Sequence, residues 1–243
     1  MDYEAGSMHN WALGYGGTLA NPVADISRRV NKILELSKSF EIKSILDFGS
    51  GSGEMISALS EHFEVEGLEP EEQARENCNE QGMRVHASTK ELRNKEKRFD
   101  LVTLFHVVEH FYRPDAELDG IYDLLKPSGL LLIETPNSQD ALLTKYQSIP
   151  FGNFTYWTHH PMLHSNKSLG SLVTRKGFNL IINSGTQRYG LENHFYWLSN
   201  NRPGGHIEWD GLFSEATNLL YERDLVAQGL ADTIWLVAQK PWN

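Results

Sequence analysis

Apolar runs that close on an acid or a glycine recur along the chain. Ile45-Leu46 leads into Asp47. Phe63-Glu64-Val65-Glu66-Gly67-Leu68-Glu69 alternates and ends on an acid, and Met83-Arg84-Val85-His86 is a shorter run. Arg98-Phe99-Asp100-Leu101-Val102-Thr103-Leu104-Phe105 and Leu130-Leu131-Leu132-Ile133-Glu134 are the fourth and fifth. Such runs, bounded by turn residues, predict buried strands. Phe178-Asn179-Leu180-Ile181-Ile182, after Gly177, predicts a sixth strand, and Thr233-Ile234-Trp235-Leu236-Val237-Ala238 a seventh.

Helical patterns separate these runs. Asp25 to Phe40 carries Ile26, Val30, Ile33 and Leu34 on one face, as an amphipathic helix would. Glu54-Met55-Ile56-Ser57-Ala58-Leu59 is a second helix. Glu71 to Gln81 is a third, with Gly82 as its C-terminal cap,. A fourth covers 116–125, apolar at Leu118, Ile121, Leu124 and Leu125, and stops at Lys126-Pro127-Ser128-Gly129. Residues 138–230 interrupt the expected end of the sheet. Within that stretch, about 50 residues separate the sixth and seventh strands, long for a simple connection, and such lengths usually signal a functional insertion.

The turn after the first strand holds the first chemical signal. Gly49, Gly51 and Gly53 alternate between strand and helix, so the backbone turns sharply and lies against a flat ligand with no Cβ in the way. The helix start presents unpaired N–H groups there. The dinucleotide fingerprint Gly-x-Gly-x-x-Gly needs a glycine where Glu54 stands,. Asp47-Phe48-Gly49 spells the kinase magnesium motif, but no His-Arg-Asp loop or Val-Ala-Ile-Lys strand accompanies it,. Glu69 lies 20 residues after Gly49, where doubly wound folds place a carboxylate that accepts from both hydroxyls of a ribose.

An acid two places before three alternating glycines resembles the first motif of class I S-adenosylmethionine-dependent methyltransferases. Phe99-Asp100-Leu101-Val102, then Val107-Val108-Glu109-His110 with Arg113-Pro114, resembles that family's fourth-strand region. The string Leu124-Leu125-Lys126-Pro127-Ser128-Gly129-Leu130-Leu131-Leu132-Ile133 is similar to its fifth. The resemblance spans about residues 44–137. It implies an α/β fold: a Rossmann-like, seven-stranded, mostly parallel sheet with helices on both faces. The last strand is antiparallel, between the fifth and sixth, and insertions form a small cap.

Residues 1–40 would then be an N-terminal lid and helix. Residues 41–243 would be the methyltransferase domain, with cap insertions around 140–170 and 187–230. Trp11, Gly14, Tyr15, Gly16 and Gly17 suggest a loop that folds over ligand, or a frayed terminus,. The implied cofactor is S-adenosylmethionine, with Asp47, Gly49, Ser50, Gly51, Gly53, Glu69, Pro70, Ser88, Phe105, His106 and His110 around it. The family often has an Asp near Ser88 for the adenine amino group; here the Ser88 hydroxyl or the Thr89 amide would serve instead.

His106-x-x-Glu109-His110 also matches a zinc-protease pattern,. That chemistry places both histidines on a helix interior, whereas this pentapeptide leaves an apolar strand, so no metal is expected. An oxygen nucleophile must lose a proton, and histidine titrates in the right range. His106 is the favoured base, since it follows the fourth strand, where open α/β sheets bind ligand; His159 and His194 are alternatives delivered by the cap. Two segments, 151–165 and 187–206, mix aromatics with His, Asn and Arg, as surfaces that stack on sugar-like ligands do. Tyr156, Trp157, His160, Arg188, Tyr189 and Asn193 are their candidate substrate contacts. No Asn-Pro-Pro-Tyr follows the fourth strand, which weighs against amino methylation of a base or glutamine.

The expected reaction is methyl transfer to a polar small molecule, a hydroxyl of a sugar or nucleotide-linked sugar. An NAD(P)-dependent oxidoreductase on a similar sheet and a non-catalytic cofactor-binding module are the alternatives. A formal net charge of −10 with no clean basic run argues against nucleic acid, whose binding draws on Lys and Arg. No apolar run is long enough to span a membrane and no signal-peptide pattern opens the chain,. Cys78 is the single cysteine, which excludes an internal disulfide. These features predict a cytoplasmic protein, monomer or homodimer.

Overall fold

Aliphatic side chains on both faces of the central strands build the core of this protein, described by a computed structural model over residues 22–242. The sheet consists of β1 (Ser44–Phe48), β2 (Glu64–Leu68), β3 (Val85–His86), β4 (Phe99–Phe105), β5 (Leu125–Pro136), β6 (Asn179–Thr186) and β7 (Thr233–Gln239). Its order is β3-β2-β1-β4-β5-β7-β6. β1 runs parallel to β2 and β4, and β4 to β5, while β7 runs antiparallel between β5 and β6. That is the topology the resemblance implied. The reversed strand needs no crossover, because it pairs Ile133 with Leu236 and Asn183 with Leu236 directly.

Residues on alternate sides of each strand face different helices. Val102, Leu104, Leu131 and Ile133 pack with Leu118, Ile121 and Leu124 of α5 (Pro114–Leu124) and with Leu169, Leu172 and Val173 of α8 (Asn166–Arg175). Leu101, Leu130 and Leu132 face the other way. They meet Ile33 and Leu36 of α1 (Pro22–Ser37) and Met55, Ile56 and Leu59 of α2 (Glu54–Leu59). α3 (Glu72–Glu80) and α4 (Thr89–Asn94) flank β3.

Several boundaries differ from the sequence reading. α1 begins at Pro22 and ends at Ser37, short of Phe40. β3 keeps only two residues, since it pairs with β2 only through Gly67↔Val85 and Leu68↔His86. β5 starts at Leu125, ahead of the Lys126-Pro127-Ser128-Gly129 turn, because Phe99↔Leu125 already pairs and a register shift absorbs the turn. β6 continues to Thr186 because its antiparallel partner holds it to Thr233. Trp11, Gly14, Tyr15, Gly16 and Gly17 lie outside the described residues.

Two stretches leave the sheet. α6 (Ala141–Thr144) and α7 (Ile149–Thr155) follow β5; α9 (Leu191–Asn200), α10 (Gly205–Glu208) and α11 (Glu215–Gln228) lie between β6 and β7. Phe151 and Phe154 of α7 reach Trp197 of α9 at centroid distances of 5.1 and 5.2 Å. The two excursions therefore pack on each other above the carboxyl edge of the sheet.

Candidate active site

The glycine turn forms as its residue types require. Gly49, Gly51 and Gly53 have φ of 79°, 50° and 81°, a region that side chains with a Cβ avoid. Gly49 N–H and Ser50 N–H donate to Leu68 O at 2.7 and 3.1 Å, tying the turn to the end of β2. A Cβ on Gly49 would lie 2.5 Å from Val107 Cγ2, and one on Gly53 2.5 Å from Met83 Sδ. At Gly51 the same position meets nothing within 4 Å. Two glycines thus admit close packing, and the third faces open space.

Glu69 closes the turn from the next strand. Its Oε2 accepts from Gly51 N–H and its Oε1 from Glu71 N–H, each at 2.9 Å. Each oxygen keeps a lone pair for a further donor. Asp47 is 3% exposed beneath the turn and accepts from Thr103 Oγ1 at 2.8 Å. Burial pushes its carboxyl up to about 6 despite Thr103 and Arg29.

β4 delivers His106. Its φ of 57° is left-handed for a residue with a Cβ, and such strain persists only where surroundings hold it. Here its N–H donates to Glu134 O at 2.8 Å, one step past the end of β4. Nε2 accepts from Arg188 Nη1 at 2.9 Å. A guanidinium only donates, so the ring is neutral at Nε2, with its proton on Nδ1, 3.3 Å from Glu109 Oε1. Burial and Arg188 press the ring's pKa down, but Glu109 and Glu134 outweigh them, and the net direction is up. Val107, the next residue, is the side chain that fills the space under Gly49. The histidine and the glycine turn are thereby neighbours.

A charged network surrounds that ring. Glu134, fully buried at the end of β5, accepts from Arg28 at 2.6 and 3.1 Å and from Arg29 at 2.9 and 2.6 Å. Burial alone would raise its pKa; His106, Arg28 and Arg29 hold it far below the usual range. Arg188 binds Asp25 of α1 through both oxygens, and its backbone N–H donates to Asp232. Asp25 sits at about 2 because Arg188 and Arg28 outweigh its burial. Asp232 is raised to about 6 by burial, against the pull of Arg188. Buried charges of this kind hold only when paired.

The other sequence candidates occupy several distinct places. His110, His159, His160 and Trp157 gather beside Glu109. His110 Nδ1 pairs with His159 O at 2.6 Å, the rings of His110 and His160 are 4.9 Å apart, and Trp157 lies 4.5 Å from His159. His159 thus offers its carbonyl to His110. Phe105 carries the Arg29 guanidinium 4.6 Å above its ring, and Tyr189 the Arg188 guanidinium at 5.2 Å. Pro70 and Tyr156 are exposed. Ser50 is 8% exposed and packs its hydroxyl against Gly67. Ser88 caps α4, its hydroxyl accepting from Glu91 N–H at 3.3 Å.

Two expectations need correction. His194 is not a cap-borne base: it is 2% exposed, its Nδ1 bonds Tyr221 OH at 2.6 Å and its Nε2 lies 3.3 Å from Gln187 Nε2. Burial pushes it down to about 4, so it is neutral and structural. Asn193 is 6% exposed, and a Cβ on Gly205 would lie 2.6 Å from its Cα, so it is a packing position rather than a surface for substrate. Both belong to the buried face of α9. Asp25, Arg28, Arg29, Glu134 and Asp232 were not singled out as site residues. Glu134 ends an apolar run on an acid as Glu69 does, and that signal would have found it.

The strand order, the reversed β7, the glycine turn after β1 and the acid at the end of β2 together define the class I methyltransferase architecture. A family profile described as a methyltransferase domain matches residues 23–182, and the chain belongs to that family of S-adenosylmethionine-dependent methyltransferases. The chain is 32% identical over 133 residues to the ubiquinone biosynthesis O-methyltransferase of Haemophilus ducreyi, covering 49% of this chain and 54% of that one. The Shewanella sp. enzyme of the same name is 29% identical over 128 residues, covering 49% and 52%. The chain thus spans about half the length of the curated relatives it matches.

Solved structures share the fold. A SAM-dependent methyltransferase from Archaeoglobus fulgidus superposes with a TM-score of 0.58 at 19% identity, over 88% of this chain and 94% of that one. The [4+2]-cyclase SpnF does so at 0.56 and 13%, over 89% and 82%. Enzymes named for different chemistry therefore stand on one architecture, and function must be argued from the site. Among the described residues, no helix is long and apolar enough to cross a membrane.

Proposed function

We propose that the protein transfers a methyl group from S-adenosylmethionine to a hydroxyl of a small polar acceptor, with His106 as general base. The observation that carries this reading is the placement of His106. Its neutral Nε2 stands at the end of β4, beside the residue that packs under the glycine turn. The turn fits the cofactor because Gly51 leaves room where a Cβ would stand. Bound there, S-adenosylmethionine supplies a methyl group already activated on a sulfonium, so positioning supplies much of the rate.

Each residue then has a task. Glu69 offers one lone pair from each carboxylate oxygen to the ribose diol while its backbone bonds hold the turn. Glu109 lies 3.3 Å from His106 Nδ1 and places a negative charge beside the ring. Arg188 occupies Nε2, so the base accepts a proton only after that guanidinium turns toward the acceptor. Trp157 and His160 beside Glu109, and Arg188 and Tyr189 beside His106, support an acceptor rich in hydroxyls, such as a sugar or a nucleotide-linked sugar; exposed Tyr156 is a further candidate contact. The relatives' name, ubiquinone biosynthesis O-methyltransferase, favours an aromatic hydroxyl as the second reading.

Calorimetric titration with S-adenosylmethionine tests the donor half; absence of binding at millimolar concentration refutes it. Release of S-adenosylhomocysteine across a panel of sugars, nucleotide sugars and catechols tests the acceptor half and ranks the two readings. Glu69→Ala is expected to weaken cofactor binding by about 1–3 kcal/mol, the range for hydrogen bonds to a charged group. Unchanged affinity would remove Glu69 from the site. His106→Ala is expected to lower kcat by about 10²–10⁴-fold, the usual contribution of a positioned base, with cofactor affinity intact. Full turnover in that variant would place the base elsewhere.

A further inference from the structure

Glu109, His110 and His160 bring together three groups able to ligate a metal ion. One donor atom from each lies within 4.8 Å of the other two. The His110 ring is fixed by Nδ1–H donating to His159 O at 2.6 Å, and the His160 ring by Nδ1–H donating to Thr155 O at 2.8 Å. With each Nδ1 spent as a donor, Nε2 is left as a bare acceptor on both rings. Glu109 is fully buried; its Oε2 accepts from Thr135 Oγ1 at 2.9 Å, and its Oε1 has no hydrogen bond. His106 Nδ1 approaches that oxygen to 3.3 Å without hydrogen-bond geometry.

A carboxylate and two imidazoles held this close are a ready set of ligands for a cation,. The one group near that oxygen, His106 Nδ1, stands at 3.3 Å, so a buried carboxylate is left incompletely satisfied, which is costly,. A histidine whose far nitrogen is anchored on a backbone carbonyl is the arrangement that orients imidazole toward a metal. A second orphan lies in the same neighbourhood: His164 Nε2 is buried without a partner, on a ring that feels the Glu109 charge. We propose that Glu109, His110 and His160 form a binding site for a divalent transition-metal ion, with Zn2+, Mn2+ or Co2+ as the fitting class. Two imidazoles and one carboxylate suit such borderline ions, and three protein donors leave coordination positions open.

This assignment reverses the expectation of no metal. The His-x-x-Glu-His pattern was set aside because it leaves a strand, and its first histidine is indeed engaged elsewhere, by Arg188. The Glu and the second His find their third ligand in His160, on the far side of the first insertion. Beside His106, the ion would take the acceptor oxygen as a ligand and lower its pKa. That oxygen then gives its proton to His106, forms the O–CH3 bond as the S–CH3 bond breaks, and leaves a neutral thioether. Only this catalytic role rests on the methyl-transfer reading; ion binding does not.

The test uses the full chain, stripped with a chelator and titrated with Co2+ by visible absorption and with Zn2+ by calorimetry. One ion per chain is expected, with His160→Ala and His110→Ala each binding at least about tenfold more weakly and the exposed-histidine control His62→Ala unchanged. His160 is half-buried in a loop, so its variant should fold; a thermal melt confirms this, and His110→Ala stands as the independent second variant. If wild type takes no ion, or all variants bind alike, the site is overturned. Cofactor titration of the stripped protein separates the outcomes, since intact S-adenosylmethionine binding without Co2+ binding removes the metal and leaves methyl transfer standing.

Discussion

Gly51→Val is expected to abolish S-adenosylmethionine binding in a protein that still folds. The three glycines of the turn differ in what a side chain would meet. At Gly49 and Gly53 a Cβ collides with Val107 and Met83 at 2.5 Å, so substitutions there strike the scaffold as well as the ligand. At Gly51 no protein atom stands within 4 Å, and the branched side chain projects into the space assigned to the cofactor. The cost to the fold is the left-handed backbone at φ 50°, about 1–2 kcal/mol for a residue with a Cβ. Loss of affinity beyond about a hundredfold corresponds to roughly 2.7 kcal/mol. Calorimetry for binding and urea denaturation for stability separate the two effects. Retained affinity would show that the opening beside Gly51 is not where the nucleoside lies.

Glu134→Ala is expected to be the most destabilising single change in the site. One carboxylate accepts from both Arg28 and Arg29, whose side chains are only 23% and 12% exposed. Removing it strands two guanidinium groups where water cannot fully reach them. Breaking a buried pair in this way costs about 3–5 kcal/mol. It also releases α1 from the end of β5, since these contacts join helix and sheet. Equilibrium unfolding measures the first effect. Hydrogen exchange across 22–37 measures the second, which should rise there before the sheet amides respond. A loss below about 1 kcal/mol would mean that the two arginines find solvent or Asp25 instead.

The cofactor end of the molecule was legible because its signals are local. A glycine turn, an acid at a strand end and the Lys126-Pro127-Ser128-Gly129 turn each declare themselves within a few residues. The strand order and the reversed β7 followed from those motifs once they were read together. What stayed hidden depends on residues far apart in the chain. Arg28 and Arg29 meet Glu134 more than a hundred positions away, and no spacing rule joins them. Asn193 and His194 looked like ligand contacts by composition, yet the turn of α9 puts them inside. His160 gains meaning only when the insertion folds back on Glu109.

Phe151, Phe154 and Trp197 interlock across the two excursions from the sheet. On the proposed reading, in which these excursions wall the acceptor site, redesign of acceptor selectivity is a two-body problem. Trading residues in one wall alone will register first as a lower melting temperature and only afterward as a changed preference. Libraries that vary 151–160 and 191–200 in concert are the economical route to new acceptors.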